Sequence, residues 1–206
     1  STGDYCTRIS NRKILSGLIQ AVKLADTSIL GDIELVVFRA IDKLDRLGLE
    51  GVKNLLAKGR TDSSGDFTEG ANLSAGQIDT IISFLKITND DPFKTLEEMK
   101  YLIGDSEIGQ QGISELGNIT DTLLSKDTSN LSFKIDPSVV RGLAYYTGTV
   151  FETELSTPTR SLGSISGGGR YDDLVSRFTG KKLPSTGVSI GICLLYTSPS
   201  PRDKRL

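Results

Sequence analysis

No histidine occurs anywhere in the 206 residues. That absence excludes Ser/His and Cys/His nucleophile pairs, HExxH zinc sites and imidazole acid–base chemistry together. Only two cysteines are present, Cys6 and Cys193, far apart in sequence. They read as reduced thiols rather than a disulfide scaffold. No apolar run is long enough to span a bilayer. No charged-then-apolar stretch stands at the start, which predicts no export signal. There is no global basic field either. The net charge is −2 and the pI is about 5.3, so any contact with nucleic acid must come from a local patch. Hydrophobic residues make up 37%, low for a globular domain but above the disordered range. Chemistry in this chain must therefore run on arginines, carboxylates, hydroxyls and backbone amides.

What is present falls into two periodicities. Residues 5–10 read as a short strand, and Asn11 is a good helix cap. Leu15, Leu18, Ile19 and Val22 then repeat at the spacing of one buried helix face. Thr27 to Asp32 reads as a turn. Val37, Ala40, Ile41 and Leu44 share a further helical face, with Asp42, Lys43, Asp45 and Arg46 mostly opposite. Gly48 and Gly51 are expected to break that helix, leaving a short one over Val52 to Lys58. Gly59 to Asn72 is polar and glycine-rich and reads as a long exposed loop. Ser74-Ala-Gly-Gln77 has capping-box form, and Asp91-Pro92 offers a cap followed by a first-turn proline. A last helix is predicted from about Glu107 to Ser125, with Leu116, Ile119 and Leu123 inward.

After Ser129-Asn130 the period drops to two. Leu131, Phe133 and Ile135 alternate, as do Phe151 and Leu155 against Glu152 and Glu154. Gly163 to Gly168 reads as the return strand of a hairpin with Pro158 in its loop. Arg170 to Phe178 reads as a helix with Leu174 and Phe178 on one side. Ser185 to Ile192 reads as a final strand. The fold class is α+β: an antiparallel sheet with flanking helices and a helical insertion.

Two strings carry the chemistry. The first is Arg141-Gly-Leu-Ala-Tyr-Tyr-Thr-Gly-Thr-Val-Phe-Glu152; the second is Gly163-Ser-Ile-Ser-Gly-Gly-Gly-Arg-Tyr-Asp-Asp-Leu174. A guanidinium such as Arg141 is a rigid fork matched to carboxylate or phosphate. Alone, a strand-end arginine is worth little; its neighbours change the reading. On a strand, Tyr145 and Tyr146 would point to opposite faces unless a turn intervenes. Gly167, Gly168 and Gly169 allow positive φ and close approach of a ligand to bare backbone. They form neither GxGxxG nor a Walker loop. Arg170 and Tyr171 follow at the start of a helix. Glu152 and Glu154 face the same way, and one could hold a cation such as an α-ammonium. A solvated strand face is the alternative, and it is preferred for Glu154.

This pair of strings resembles the two histidine-binding signatures of histidyl-tRNA synthetase. Further stretches extend the resemblance over nearly all of residues 4–192. They are Ile9-Ser-Asn-Arg-Lys13, Ala40-Ile-Asp-Lys-Leu-Asp45, Asp62-Ser-Ser-Gly-Asp-Phe-Thr-Glu-Gly70 and Gly187-Val-Ser-Ile-Gly191. The third of these, together with Asp136-Pro-Ser-Val-Val-Arg-Gly142, resembles the alphaproteobacterial branch. The resemblance implies an internal fragment of a class II synthetase core. Residues 1–30 would be the first part of the core, 31–105 a helical insertion and 106–192 the second part of the core.

The resemblance also implies the activity: histidine is activated with ATP, which brings Mg2+, and is passed to tRNA(His). The parent would be a cytoplasmic homodimer, with no protein metal site. Arg141 matches the arginine near the α-phosphate and the substrate carboxylate. Tyr145, Tyr146, Gly167, Gly168, Gly169, Arg170 and Tyr171 match the amino-acid site, with Glu152 as a candidate cation holder. Lys58, Arg60 and Lys86 are candidate contacts to tRNA phosphates. Ala144 stands where the family carries an acidic residue. The parts of the family pattern outside this stretch are missing, so this chain alone is expected to be inactive. The rival family is the non-catalytic regulatory subunit of ATP phosphoribosyltransferase, which Ala144 slightly favours and the long helical stretch disfavours. A generic α+β binding module is the third reading. Finally, Cys193-Leu-Leu-Tyr-Thr-Ser-Pro-Ser-Pro-Arg-Asp203 resembles a translated sequencing-library adapter. Residues 193–206 are accordingly expected to be an adapter-derived tail.

Overall fold

The computed structural model describes residues 4–22, 30–126, 131–142, 145–157, 160–181 and 183–196. Strand β1 (Asp4–Asn11) passes directly into helix α1 (Arg12–Ala21). Asn11 makes the junction: its backbone is extended (φ −142°, ψ 128°) and its side chain accepts from the Lys13 amide at 2.9 Å. That bond satisfies one of the amides a helix start leaves open. Leu15, Leu18, Ile19 and Val22 are all buried, as their spacing predicts.

Helix α2 (Leu30–Ile41) buries Val37, Phe38, Ala40 and Ile41. The expected turn at Thr27 to Asp32 lies partly outside the described residues, and from Leu30 the chain is already helical. A break that the sequence did not announce falls at Asp42–Lys43, before α3 (Leu44–Leu56). The break expected at Gly48 is present: its backbone (φ 66°, ψ 178°) is non-helical, a conformation a side chain would resist, and it kinks α3 into two pieces, whereas Gly51 is buried within the helix. Gly59 to Asn72 is not a loop. It holds a hairpin of β2 (Gly59–Thr61) and β3 (Phe67–Glu69). Its tip is tied by Asp62, whose carboxylate accepts from the amides of Ser64 and Asp66. Strands of three residues, β2 mostly half-buried and β3 exposed, carry no alternation for a sequence to display.

Helix α4 (Ala75–Leu85) starts at the predicted capping box of Ser74 and Gln77. Helix α5 (Pro92–Ile103) starts at the predicted Asp91 cap, and α6 spans Glu107–Ser125. Leu116 is fully buried, while Ile119 and Leu123 pack half-buried on the core. Helices α1 and α6 approach closely. A Cβ on Gly17 would stand 2.5 Å from the Gly109 Cα, and one on Gly112 would stand 2.7 Å from Ile14 Cγ1.

The remaining elements are β4 (Phe133–Ile135), β5 (Thr149–Thr157), β6 (Arg160–Arg170), α7 (Asp172–Thr179), β7 (Thr186–Ile190) and α8 (Ile192–Tyr196). One sheet has the order β4-β1-β5-β6-β7. Its neighbours are antiparallel except β4, which lies parallel to β1 because a long helical crossover, not a hairpin, joins them. Register sets Ile9 opposite Phe151 on one face and Arg8 opposite Glu152 on the other. The Ile9 face packs on α6; the Arg8 face carries the site. A hydrophobic cluster runs from Ile9 through α1 to α5 and on to Leu116 and Ile135. Helix α7 buries no residue, and Phe178 is 84% exposed, so the expected apolar side of that helix is uncovered. Both cysteines are free thiols. Among the described residues no helix is long and apolar enough to cross a membrane. Most of the adapter-like tail lies outside the described residues, and its first residues belong to α8.

Candidate active site

The site begins on β1 with a residue that sequence reasoning passed over. Arg8 is a charged side chain at a buried position of an interior strand. Its Nη2 donates to Asp45 at 3.1 Å and to Glu152 at 3.3 Å, and lies 3.1 Å from Glu154. Its Nη1 is 3.9 Å from Asp136. Burial alone would lower its pKa. The hydrogen bond to Asp45 and the fields of Asp136 and Glu154 outweigh that and raise it, so the charge is permanent. Asp136 shows the mirror case. Burial pushes its carboxyl up, but the Ser138 hydroxyl (2.6 Å) and amide (3.0 Å), with Lys134 and Arg8, hold it below the ordinary range.

Glu152 is buried opposite Arg8 in β5. One carboxylate oxygen accepts from Arg8; the other pairs with the Arg141 guanidinium. Glu152, the candidate cation holder, pairs with two protein cations, the compensation that a buried carboxylate needs within the fold. Glu154 is half-buried and pairs with Arg8, not with water alone. Arg141 is half exposed and reaches into open space.

That space is a cavity of about 700 Å³ on the Arg8 face of the sheet. Arg141, Gly142, Tyr145, Tyr146, Gly167 and Gly168 line it. The two tyrosines do not alternate on a strand. They close a turn in which both amides donate to the Gly142 carbonyl at 3.0 Å. Gly142 has φ 62°, and a Cβ there would strike the Tyr146 ring, so the turn requires glycine on both counts. The Tyr145 and Tyr146 rings lie 4.4 Å apart at 53°, and Tyr171 backs Tyr146 at 6.5 Å. Burial, then the hydrogen bond with Tyr145, pushes the Tyr146 phenol up to about 12.

The triple glycine is strand, not turn, and none of the three has positive φ. Its use is close approach. A Cβ on Gly169 would stand 2.9 Å from the Tyr146 ring, and one on Gly168 would stand 2.7 Å from Phe151 Cζ. Gly167 presents bare backbone to the cavity. Arg170 is not among the residues that line this cavity. Strand alternation sends it to the helical face, where its Nε donates to Asp172 at 2.8 Å and it stays out of the cavity. Tyr171 sits behind the wall, its hydroxyl over Gly187. Leu143 and Ala144 lie outside the described residues.

Asp42, Asp45 and Arg46 complete the wall. As solvent-side residues of a helix they gave no functional signal; the break at Asp42–Lys43 turns them over the cavity. An inward-facing arginine between Cys6 and Ser10 was the available clue to Arg8. The arrangement can receive an anion at Arg141, a flat or small polar group against the phenols and glycine backbone, and a cation near Asp42 and Asp45. Among the described residues no group of three or more Cys, Asp or Glu is placed to hold a metal ion.

A family model described as histidyl-tRNA synthetase matches residues 9–195. The histidine–tRNA ligase of Dinoroseobacter shibae is 48% identical over 200 residues, covering 92% of this chain and 40% of that protein. The histidine–tRNA ligase of Rhizobium meliloti is 46% identical over 203 residues, covering 95% and 40%. The crystal structure of histidyl-tRNA synthetase from Nostoc sp. PCC 7120 superimposes with TM-score 0.79 at 33% identity, covering 96% of this chain and 42% of that one. Fold and similarity together make this aminoacyl-tRNA synthetase architecture. Within it, the chain belongs to the histidyl-tRNA synthetase family. It spans about 40% of the length of the curated relatives it matches. A Bacillus halodurans structure, titled ATP phosphoribosyltransferase regulatory subunit/histidyl-tRNA synthetase, shares the fold with TM-score 0.65 at 20% identity.

Proposed function

We propose that this chain supplies the amino-acid side of the active site in a class II ligase. The ligase activates histidine with ATP and passes it to tRNA(His). The observation that carries this reading is the shared cavity: Arg141, Tyr145, Tyr146 and the bare strand at Gly167 and Gly168 line one space. A half-exposed guanidinium held by Glu152 can neutralise the charge that grows as a carboxylate attacks the α-phosphate of ATP. The phenols and the Gly167–Gly169 backbone bound the amino-acid pocket, with Tyr171 behind Tyr146 and Arg170 clamping Asp172 at the start of α7. Mg2+ enters with ATP as part of that substrate. The exposed Lys58 and Lys86, with the half-buried Arg60, are the proposed contacts to tRNA phosphates. The whole protein is proposed to be a cytoplasmic homodimer. A regulatory-subunit role is less well supported, since the relatives at 46–48% identity are named ligases.

The test replaces the matching segment of the Dinoroseobacter shibae ligase with residues 4–192 and measures histidine-dependent ATP–pyrophosphate exchange. The graft is expected to exchange, and Arg141→Ala within it to lose roughly 100-fold or more, the scale of removing one preorganised charge. Exchange within a few-fold of the unsubstituted graft would refute the role of Arg141. A graft that binds histidine without any exchange would favour the regulatory reading.

A further inference from the structure

Arg141 does not stand alone, and what holds it leads out of the site. Glu152 has a side chain only 4% exposed, with its two oxygens divided between Arg141 and Arg8. Arg8 is in turn divided. The same Nη2 serves Glu152 on β5 and Asp45 on α3. Helix α3 packs chiefly on α2, β2 and α4 rather than on the sheet. The Asp45–Arg8 pair is therefore a side-chain tie between that helical layer and the sheet. Asp45 is 70% exposed and Arg8 only 10%, so one end of the tie is free to leave and the other is fixed. Gly48, with its positive φ, kinks α3 one turn beyond Asp45.

These contacts compete for one nitrogen. While Asp45 occupies Nη2, Arg8 is shared and Glu152 can hold Arg141 firmly. If α3 shifts and Asp45 withdraws, Nη2 closes on Glu152 and Glu154. Glu152 then has less charge to spare for Arg141. We propose that Arg8 and Glu152 form a positioning relay that sets the place of the Arg141 guanidinium and makes it depend on the position of α3 through Asp45. The catalytic consequence rests on the ligase reading above; the coupling itself does not. Arg8 does not line the cavity and acts through Glu152 and Arg141; Asp45 lines its wall, and its part in the relay runs through Arg8.

Two measurements test the relay. In the 206-residue chain, the Arg141 Nε–Hε signal is assigned in nitrogen-15 NMR spectra by its loss in Arg141→Lys. It is expected to shift or broaden in Glu152→Gln, in Arg8→Lys and in Asp45→Asn. It should stay in place in Glu50→Gln, which removes an exposed carboxylate of the same helix that pairs only locally with Lys53. Arg8→Lys keeps the charge but loses the guanidinium plane whose Nη2 faces Asp45 and Glu152 while Nη1 faces Asp136, and Asp45→Asn, at an exposed residue, is the variant least prone to unfold. An Arg141 signal unmoved by both Arg8→Lys and Asp45→Asn would overturn the relay.

In the grafted ligase, Glu152→Gln is expected to lower kcat for exchange roughly tenfold to a hundredfold, with KM for histidine little changed, as misplacement of a catalytic group does. On an Arg141→Ala background the same change should cost nothing further. Additive losses would show a merely structural role and overturn the relay. If the NMR coupling is present while the graft shows no exchange, the relay stands and the ligase reading falls.

Discussion

Tyr146 concentrates the residue-scale physics of the site. Its ring packs on Gly169 and Gly142, where a Cβ would collide, and its hydroxyl meets Tyr145. The phenol is raised from 10.0 to about 12, first by burial and then by Tyr145. The folded state therefore keeps this proton where the unfolded chain loses it. The sign follows from linkage: the contribution is complete below pH 10 and is lost as pH rises toward 12. Ultraviolet titration of phenolate absorbance should show one late-titrating tyrosine that disappears in Tyr146→Phe. If the lost component titrates near 10 instead, the packing described for the ring is wrong. The glycines at this site were visible in the sequence, but their purpose was not. A triple glycine suggests a turn; here it is a strand stripped of side chains so that rings can lie on it.

At the scale of elements, caps and stripes specify the helices. Asn11, Ser74, Asp91 and Ser106 each fix a helix start with a side-chain bond, and the first three are legible from residue type and following spacing. The contact of α1 with α6 is less legible, because it depends on glycines that face each other only after folding. Gly17 and Gly109 bring the two backbones together. Gly17→Ala is expected to destabilise the chain by about 1–3 kcal/mol through overpacking. Urea unfolding followed by circular dichroism would measure it as a lower midpoint with unchanged slope. An unchanged midpoint would mean that the helices do not cross there. The hairpin of β2 and β3 marks the opposite limit. Its strands have three residues each, β3 exposed and β2 mostly half-buried, so no hydrophobic period announces them.

The whole molecule is a sheet with unequal faces. One face carries the charged cavity. The other packs on α6 but leaves an apolar hollow of about 340 Å³, lined by Ile9, Ile119, Leu123, Phe133 and Phe151. Beside it β7 is an edge strand, with Val188 59% and Ile190 55% exposed. Exposed apolar edges recruit other chains. The chain is therefore expected to self-associate with rising concentration in sedimentation velocity. Ile190→Lys should reduce that association while leaving the circular dichroism spectrum intact. Equal association in the variant would locate the sticky surface elsewhere.

The amino-acid sequence by itself determined where α1, α4 and α5 begin, the buried stripe of α1, where the period changes to strands, and the two strings that mark the family. Those features are local, set by residue type and spacing within a turn or two. Tertiary structure alone decided that Arg8, Asp45, Asp136, Arg141 and Glu152 form one charged network. It also decided that Glu152 serves two arginines, and that Arg170 turns away from the cavity. The physical reason is that electrostatic energy depends on distance and burial. Strand register and a helix break brought these distant residues together, and no spacing along the chain records either.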